Sequence, residues 1–220
     1  WSPATNLSNE TSSNPTASPL STTTYTLTET ITETGCFTTS SMVVSMTALP
    51  EISESTPADR CGPGTLTLSA SSSTGVVKWY SAATGGTLLA STESYTTPSL
   101  STTTTYYADA STAGCSAASR TPVTATVNAP PTIVSQITPG ASYSQNAVAT
   151  ALSVTANAGS GTIESYQWYS STTASNAAGT ILFTANSASY VPSTVVSGTL
   201  YYYCLVTNSN GCTVKSAISG

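Results

Sequence analysis

The chain is 220 residues long, with 4 Lys+Arg, 9 Asp+Glu, no His and a net charge of −5. Four basic residues cannot build the positive surface that nucleic acid requires, and no run of about 18 apolar residues is present to insert across a bilayer. Thr fills 44 positions and Ser 39; with Val and Tyr, these hydroxyl-rich stretches suit pleated, half-buried strands rather than a disordered chain.

One pattern recurs three times along the chain: a Trp, a Thr/Tyr cluster and a Gly-Cys pair. The first copy runs from Trp1 through Thr22-Thr23-Thr24-Tyr25 to Gly35-Cys36. Leu49 to Pro57 then reads as a linker, carrying the acidic residues Glu51 and Glu54, with Asp59 just beyond. In the second copy Thr65-Leu66-Thr67-Leu68-Ser69-Ala70 alternates as a strand with one buried face should. Val76 to Tyr80 follows, with Val77 and Trp79 on one face and Lys78 and Tyr80 on the other. Gly85-Gly86 is a turn and Thr87-Leu88-Leu89 a short strand. Thr104–Ala110 and Pro122–Val127 read as the last two strands, with Gly114-Cys115 between them and the Asn128-Ala129-Pro130-Pro131 linker after them. The third copy offers Leu152-Ser153-Val154, Tyr166-Gln167-Trp168-Tyr169, Tyr201–Val206 and Cys212–Ile218. The Trp-to-Cys spacings are 35, 36 and 44 residues.

Short strands with turn signals at this spacing, and no helical stripe, predict an all-β chain of tandem Ig-like β-sandwiches. The expected units are residues 1–50, incomplete at the N-terminus, 51–128 and 129–220. The chain opens on Trp1 without an initiating Met or a signal-peptide pattern, and is read as a fragment.

The five cysteines lack metal spacing. With so few charges they point to a disulfide-bearing extracellular protein. Cys61 and Cys115 bracket the second unit and are expected to pair. Cys204 and Cys212 flank the turn signal Asn208-Ser209-Asn210-Gly211 and are expected to face each other across a hairpin. Cys36 is left over, its partner expected ahead of Trp1.

Catalysis has little to work with. Triads of the Ser/His/Asp or Cys/His kind need a histidine, and the nine acids are scattered. No catalytic residue, cofactor or metal is assigned. Glu51, Glu54 and Asp59 lack the D-x-D-x-D pattern of a calcium loop and read as a solvated acidic stretch. Asn6-Leu7-Ser8 and Asn9-Glu10-Thr11 match the N-glycan acceptor pattern. The remaining candidates are tyrosines: Tyr80 and Tyr169 fall on the outward face and could stack on sugar rings or a partner protein, or else pack across strands. Trp1, Trp79 and Trp168 read as core anchors.

Taken together, Trp1-Ser2-Pro3-Ala4-Thr5, Cys61-Gly62, Trp79-Tyr80, Gly85-Gly86-Thr87-Leu88-Leu89-Ala90, Thr103 to Tyr107, Gly114-Cys115, Tyr166 to Tyr169 and Tyr201 to Cys204 resemble the Ig-like and PKD-like repeats of very large surface proteins of gliding Bacteroidota, such as adhesins of the SprB type. The third unit also resembles a general immunoglobulin domain, with Tyr202-x-Cys204 at tyrosine-corner spacing, although Leu152 and Val154 stand where a strand-B cysteine would be. The resemblance implies a stalk or adhesive array at the cell surface or secreted, acting in surface attachment or gliding. Its implied partners are an extracellular surface or polysaccharide, neighbouring repeats of the same chain, and type IX secretion machinery during export. The rival expectation is a carbohydrate-binding or spacer region of a secreted polysaccharide-degrading enzyme.

Overall fold

Side chains that alternate between apolar and hydroxyl-bearing give a strand one face to bury, as in the strands Thr67–Ser72 and Val76–Tyr80. The computed structural model describes residues 1–137 and 140–219. It is all-β over the described residues and falls into two compact units, Trp1–Pro50 and Glu51–Gly220.

The first unit is a hairpin of β1 (Thr23–Thr30) and β2 (Phe37–Val44), paired antiparallel from Thr23 opposite Val44 to Thr30 opposite Phe37. Tyr25 is buried, and its hydroxyl donates to the Thr5 carbonyl at 3.0 Å. Trp1, expected as a core anchor, is only half-buried; its indole N–H donates to the Ser12 carbonyl at 3.0 Å. Phe37, Met42 and Val43 on β2 stay exposed.

The second unit holds two sandwiches in sequence. The first is built from β3 (Ile52–Thr56), β4 (Ala58–Cys61), β5 (Thr67–Ser72), β6 (Val76–Tyr80), β7 (Leu88–Ala90), β8 (Ser94–Thr96), β9 (Thr104–Thr112), β10 (Cys115–Ser116) and β11 (Thr121–Asn128). One sheet has the order β3-β5-β8; the other runs β4-β11-β9-β6-β7, with β10 paired to β9. Leu68 and Ala70 from the first sheet meet Val77, Trp79, Ala108 and Val123 from the second. Residues 51–57, expected as a linker, instead contribute β3. Ile52 packs on this core and the strand pairs antiparallel with β5, while its one acidic residue, Glu54, is exposed.

The second sandwich comprises β12 (Thr132–Ile137), β13 (Leu152–Asn157), β14 (Ile163–Ser171), β15 (Thr180–Ile181), β16 (Ser189–Tyr190), β17 (Tyr201–Asn208) and β18 (Thr213–Lys215). Its sheets are β12-β13-β16 and β15-β14-β17-β18. Leu152, Val154, Trp168, Tyr202, Cys204 and Val206 form its core.

The disulfide differs from both expected pairings. Cys61 bonds Cys212, with Cα atoms 5.5 Å apart and a sequence separation of 151, and Cys36, Cys115 and Cys204 are free thiols. Two registers explain the correction. Cys61 lies beside Asn128 in the parallel β4–β11 pair, whereas Cys115 lies beside Thr112 in the β9–β10 pair. Strand β9 runs between these two ends, with Thr104 beside Ala125 and Thr112 eight residues further on. At about 3.3 Å per residue this separates the two sulfurs' strands by roughly 26 Å, far beyond disulfide reach. In the third copy Leu205 pairs with Lys215 and Thr207 with Thr213, so the hairpin is centred on Asn210. Cys204 therefore faces Ser216, and Cys212 faces Asn208. The Cys61–Cys212 bond crosses the boundary expected between residues 128 and 129, although each side keeps its own core.

Candidate functional site

Among the described residues, the most elaborate polar structure is the junction between the two sandwiches. It is built around Asn208, the last residue of β17, which is fully buried. Its Nδ2 donates to the carbonyls of Ala158 at 2.8 Å, Ser160 at 2.9 Å and Ala129 at 3.2 Å. Its Oδ1 accepts from the backbone N–H of Cys212 at 3.0 Å and of Asn210 at 3.1 Å. One side chain thus fixes the β17–β18 hairpin, the loop after β13 and the segment leaving the first sandwich. That segment is held further. Ala129 N–H donates to Ser160 Oγ at 2.9 Å, Ser160 N–H returns a bond to the Ala129 carbonyl at 3.0 Å, and Gly62 N–H donates to the Asn128 carbonyl at 2.8 Å. Pro131 is buried. Gly159 takes φ +70°, and a Cβ there would run into the Pro130 and Ala129 carbonyl oxygens, so only glycine suits the position. The disulfide sits in this same frame, joining the end of β4 to the residue that Asn208 holds.

Tyr80 and Tyr169, the ligand candidates expected on outward faces, are both half-buried and both occupied within the chain. The Arg120 guanidinium lies 3.4 Å from the Tyr80 ring centroid, held by bonds to the Ala82 and Gly85 carbonyls. Such cation–π stacking is favourable where the pair is partly desolvated. Tyr169 stacks on Tyr203, its cross-strand neighbour, with centroids 5.1 Å apart and planes at 4°. Lys215 lies over the Tyr203 ring at 5.4 Å. Burial, with the Tyr169 hydroxyl beside it, raises the Tyr203 pKa above its ordinary value. Trp79 and Trp168 are both fully buried, and their indole N–H groups each donate at 2.9 Å, to the carbonyls of Thr92 and Ser187.

Glu51, Glu54 and Asp59 are exposed, and among the described residues no three His, Cys, Asp or Glu side chains converge. A cavity of about 420 Å³ opens beside the loops around Tyr143 and Pro192, lined by Gln145, Thr150, Leu200 and Tyr202 and by no charged side chain. Reading the sequence did not reveal the junction. Its one available signal was Asn208 at the start of a turn motif, which reads equally well as a plain hairpin residue.

Residues 48–131 match the family described as Ig-like domain CHU_C associated. That span brackets the first sandwich of the second unit. No curated protein matches the chain. Among solved structures, the fibronectin(III)-like modules of Clostridium thermocellum CbhA are similar at 16% identity and TM-score 0.41, over 78% of this chain and 93% of that one. Domains A168-A170 from titin are similar at 14% identity and TM-score 0.47, over 90% of this chain and 73% of that one. Chicken CNTN1 FN1-FN3 domains align at 14% identity and TM-score 0.34, over 89% and 77% of the two chains. The chain is an Ig-like β-sandwich protein with an intramolecular disulfide. Domains of this kind are typical of extracellular proteins and of non-catalytic modules.

Proposed function

We propose that the chain is a repeat segment of a secreted or cell-surface bacterial adhesin, serving as stalk and adhesive array in surface attachment or gliding motility. The observation that carries this reading is the junction. Two sandwiches, each with its own core, are joined by a linker whose Ala129 N–H and carbonyl are both hydrogen-bonded, and a disulfide ties the end of β4 in the first to the β17–β18 hairpin of the second. A stalk needs separate folded beads held at fixed spacing. The Ig-like match over residues 48–131 fits a unit used in series. Neighbouring repeats would be its lateral contacts, an extracellular surface or polysaccharide its target, and a type IX machinery its route of export.

The rival, glycan-binding modules of a secreted polysaccharide-degrading enzyme, needs free aromatic faces, and both Tyr80 and Tyr169 already stack within the chain. Fab fragments raised against the 220-residue chain and applied to intact source cells should label the surface and block attachment. An unlabelled surface with all antigen inside the cell would overturn the proposal. Glycan affinity abolished by Tyr80→Ala or Tyr169→Ala would favour the rival, whereas the stalk reading expects attachment nearly unchanged by either.

A further inference from the structure

The Cys61–Cys212 bond decides which parts of the chain can lengthen under load. It closes a covalent ring over residues 61–212, a sequence separation of 151. Every residue of both buried clusters falls inside that ring: Leu68, Trp79 and Val123 of the first, Leu152, Trp168 and Val206 of the second. So do the junction residues Ala129, Ser160 and Asn208. Outside it, within the second unit, lie β3, the first residues of β4, and β18.

We propose that residues 61–212, which carry both buried cores, form an inextensible strut. Tension applied to the chain on either side of the ring passes from Cys61 through the sulfur bridge to Cys212. It bypasses the linker and both cores, because a covalently closed segment cannot be drawn out from its ends. Without the bond the same tension would run through β5 to β17 in turn, and each sandwich could be pulled open. The Asn208 side chain supports this arrangement by fixing the Cys212 backbone N–H at 3.0 Å, so the anchoring hairpin is held to the same frame as the linker. The proposal concerns load along this chain and holds whichever surface or secreted protein contains it.

The test is single-molecule stretching of the full 220-residue chain between terminal handles. At about 3.3–3.6 Å per residue, the sequence separation of 151 across the ring hides roughly 50 nm of contour length. The oxidised chain should release contour only from residues 1–60 and 213–220, about 23 nm at the same rise. Dithiothreitol converts the bridge to two thiols while itself closing to a cyclic disulfide, and should add the missing ~50 nm; Cys61→Ser should do the same without reductant. An oxidised chain that already gives the full length would overturn the proposal, as would a reduced one that gains none. Because Cys61→Ser could fold poorly, non-reducing peptide mapping of the unmodified chain gives a second reading. A Cys61–Cys212 peptide is expected, and a Cys61–Cys115 or Cys204–Cys212 peptide would sink the strut.

Discussion

The two sandwiches of the second unit have nearly the same interior and different exteriors. Trp79, Tyr95 and Tyr106 are linked in series, with centroids 5.9 and 5.1 Å apart. Trp168, Tyr190 and Tyr202 repeat the series at 5.9 and 5.6 Å. Trp79 faces Ala108 across its sheet, and Trp168 faces Cys204 in the same register. Outside, one sheet carries Tyr80 under Arg120, the other Tyr169 stacked on Tyr203. The β9–β10 and β17–β18 hairpins differ most. Cys115 is exposed, while the equivalent Cys212 is buried and bonded to the preceding sandwich. The repeat therefore preserves what each bead needs to fold, and varies the end at which one bead meets the next.

The sharpest way to break this comparison is through the tryptophans. Trp79→Ala and Trp168→Ala should each cost about 3–5 kcal/mol, the usual range for deleting a fully buried aromatic. Each should strip amide-exchange protection from its own sandwich first. Equal loss of protection in both sandwiches from either change would show a single cooperative core and end the comparison.

Asn208 comes next. Truncation to Ala removes the Asn208 partner from the Ala158 and Ser160 carbonyls and from the N–H groups of Asn210 and Cys212, while the Ala129 carbonyl keeps its bond from Ser160 N–H. A cost of about 3 kcal/mol follows, at the upper end for unsatisfied buried groups. Thr112 lies four residues beyond Ala108, as Asn208 lies four beyond Cys204, and it is exposed. Thr112→Ala should stay within about 0.5 kcal/mol, as surface changes do. Urea denaturation of the two variants measures the contrast; a mild Asn208→Ala would remove the junction as a structural element.

Period-two alternation made the inner faces legible. Val77 and Trp79 point inward and Tyr80 outward, because a strand with one buried face leaves no other choice. Alternation assigns a face but cannot say what covers it. Tyr203 sits on the outward face of β17 yet is 2% exposed, because Gly179 lets the chain lie against its ring. The cysteine pairing was illegible for a related reason. Spacing places Cys212 in a hairpin, but its partner depends on the hairpin centre, four-residue details of register, and which end of the neighbouring sandwich is near. Those are set by the junction, whose polar bonds link residues 79 apart in sequence. The linker reading of residues 51–57 failed because Glu and Ser there suggest solvent, while Ile52 supplies the single apolar contact a short edge strand needs. Gly179→Ala tests the covered face: a Cβ would meet the Ser170 carbonyl at 2.8 Å and the Tyr203 ring at 3.0 Å. Overpacking of this kind costs about 1–3 kcal/mol. A thermal melt unchanged by the substitution would show that the cover over Tyr203 is loose.

The smallest effect separates Cys204 from Ala108. Both sit fully buried against a tryptophan, and Ala108 shows that alanine suits the position. Cys204→Ala should therefore cost only about 1 kcal/mol. The thiol is the informative part. Burial pushes its pKa from the ordinary 9.0 up to about 11, partly opposed by a backbone hydrogen bond from Gln167. In the unfolded chain the thiol loses its proton first, so between pH 9 and 11 unfolding releases a proton. Stability from this group is complete below pH 9 and is lost as pH rises toward 11. Tyr95, Tyr190, Tyr202 and Tyr203, all with raised pKa values, drive a decline of the same sign. The difference between wild type and Cys204→Ala isolates the sulfur: the variant should lose stability less steeply across that window. Iodoacetamide near pH 8 supplies the independent check, since the thiolate is the reacting species. Cys36 and Cys115 are exposed and should be alkylated in the folded chain, with Cys204 silent until denaturant is added. Native-state labelling of Cys204 at the same rate as Cys115 would mean that the second sandwich opens where the first does not, and the likeness of their interiors would fail at its centre.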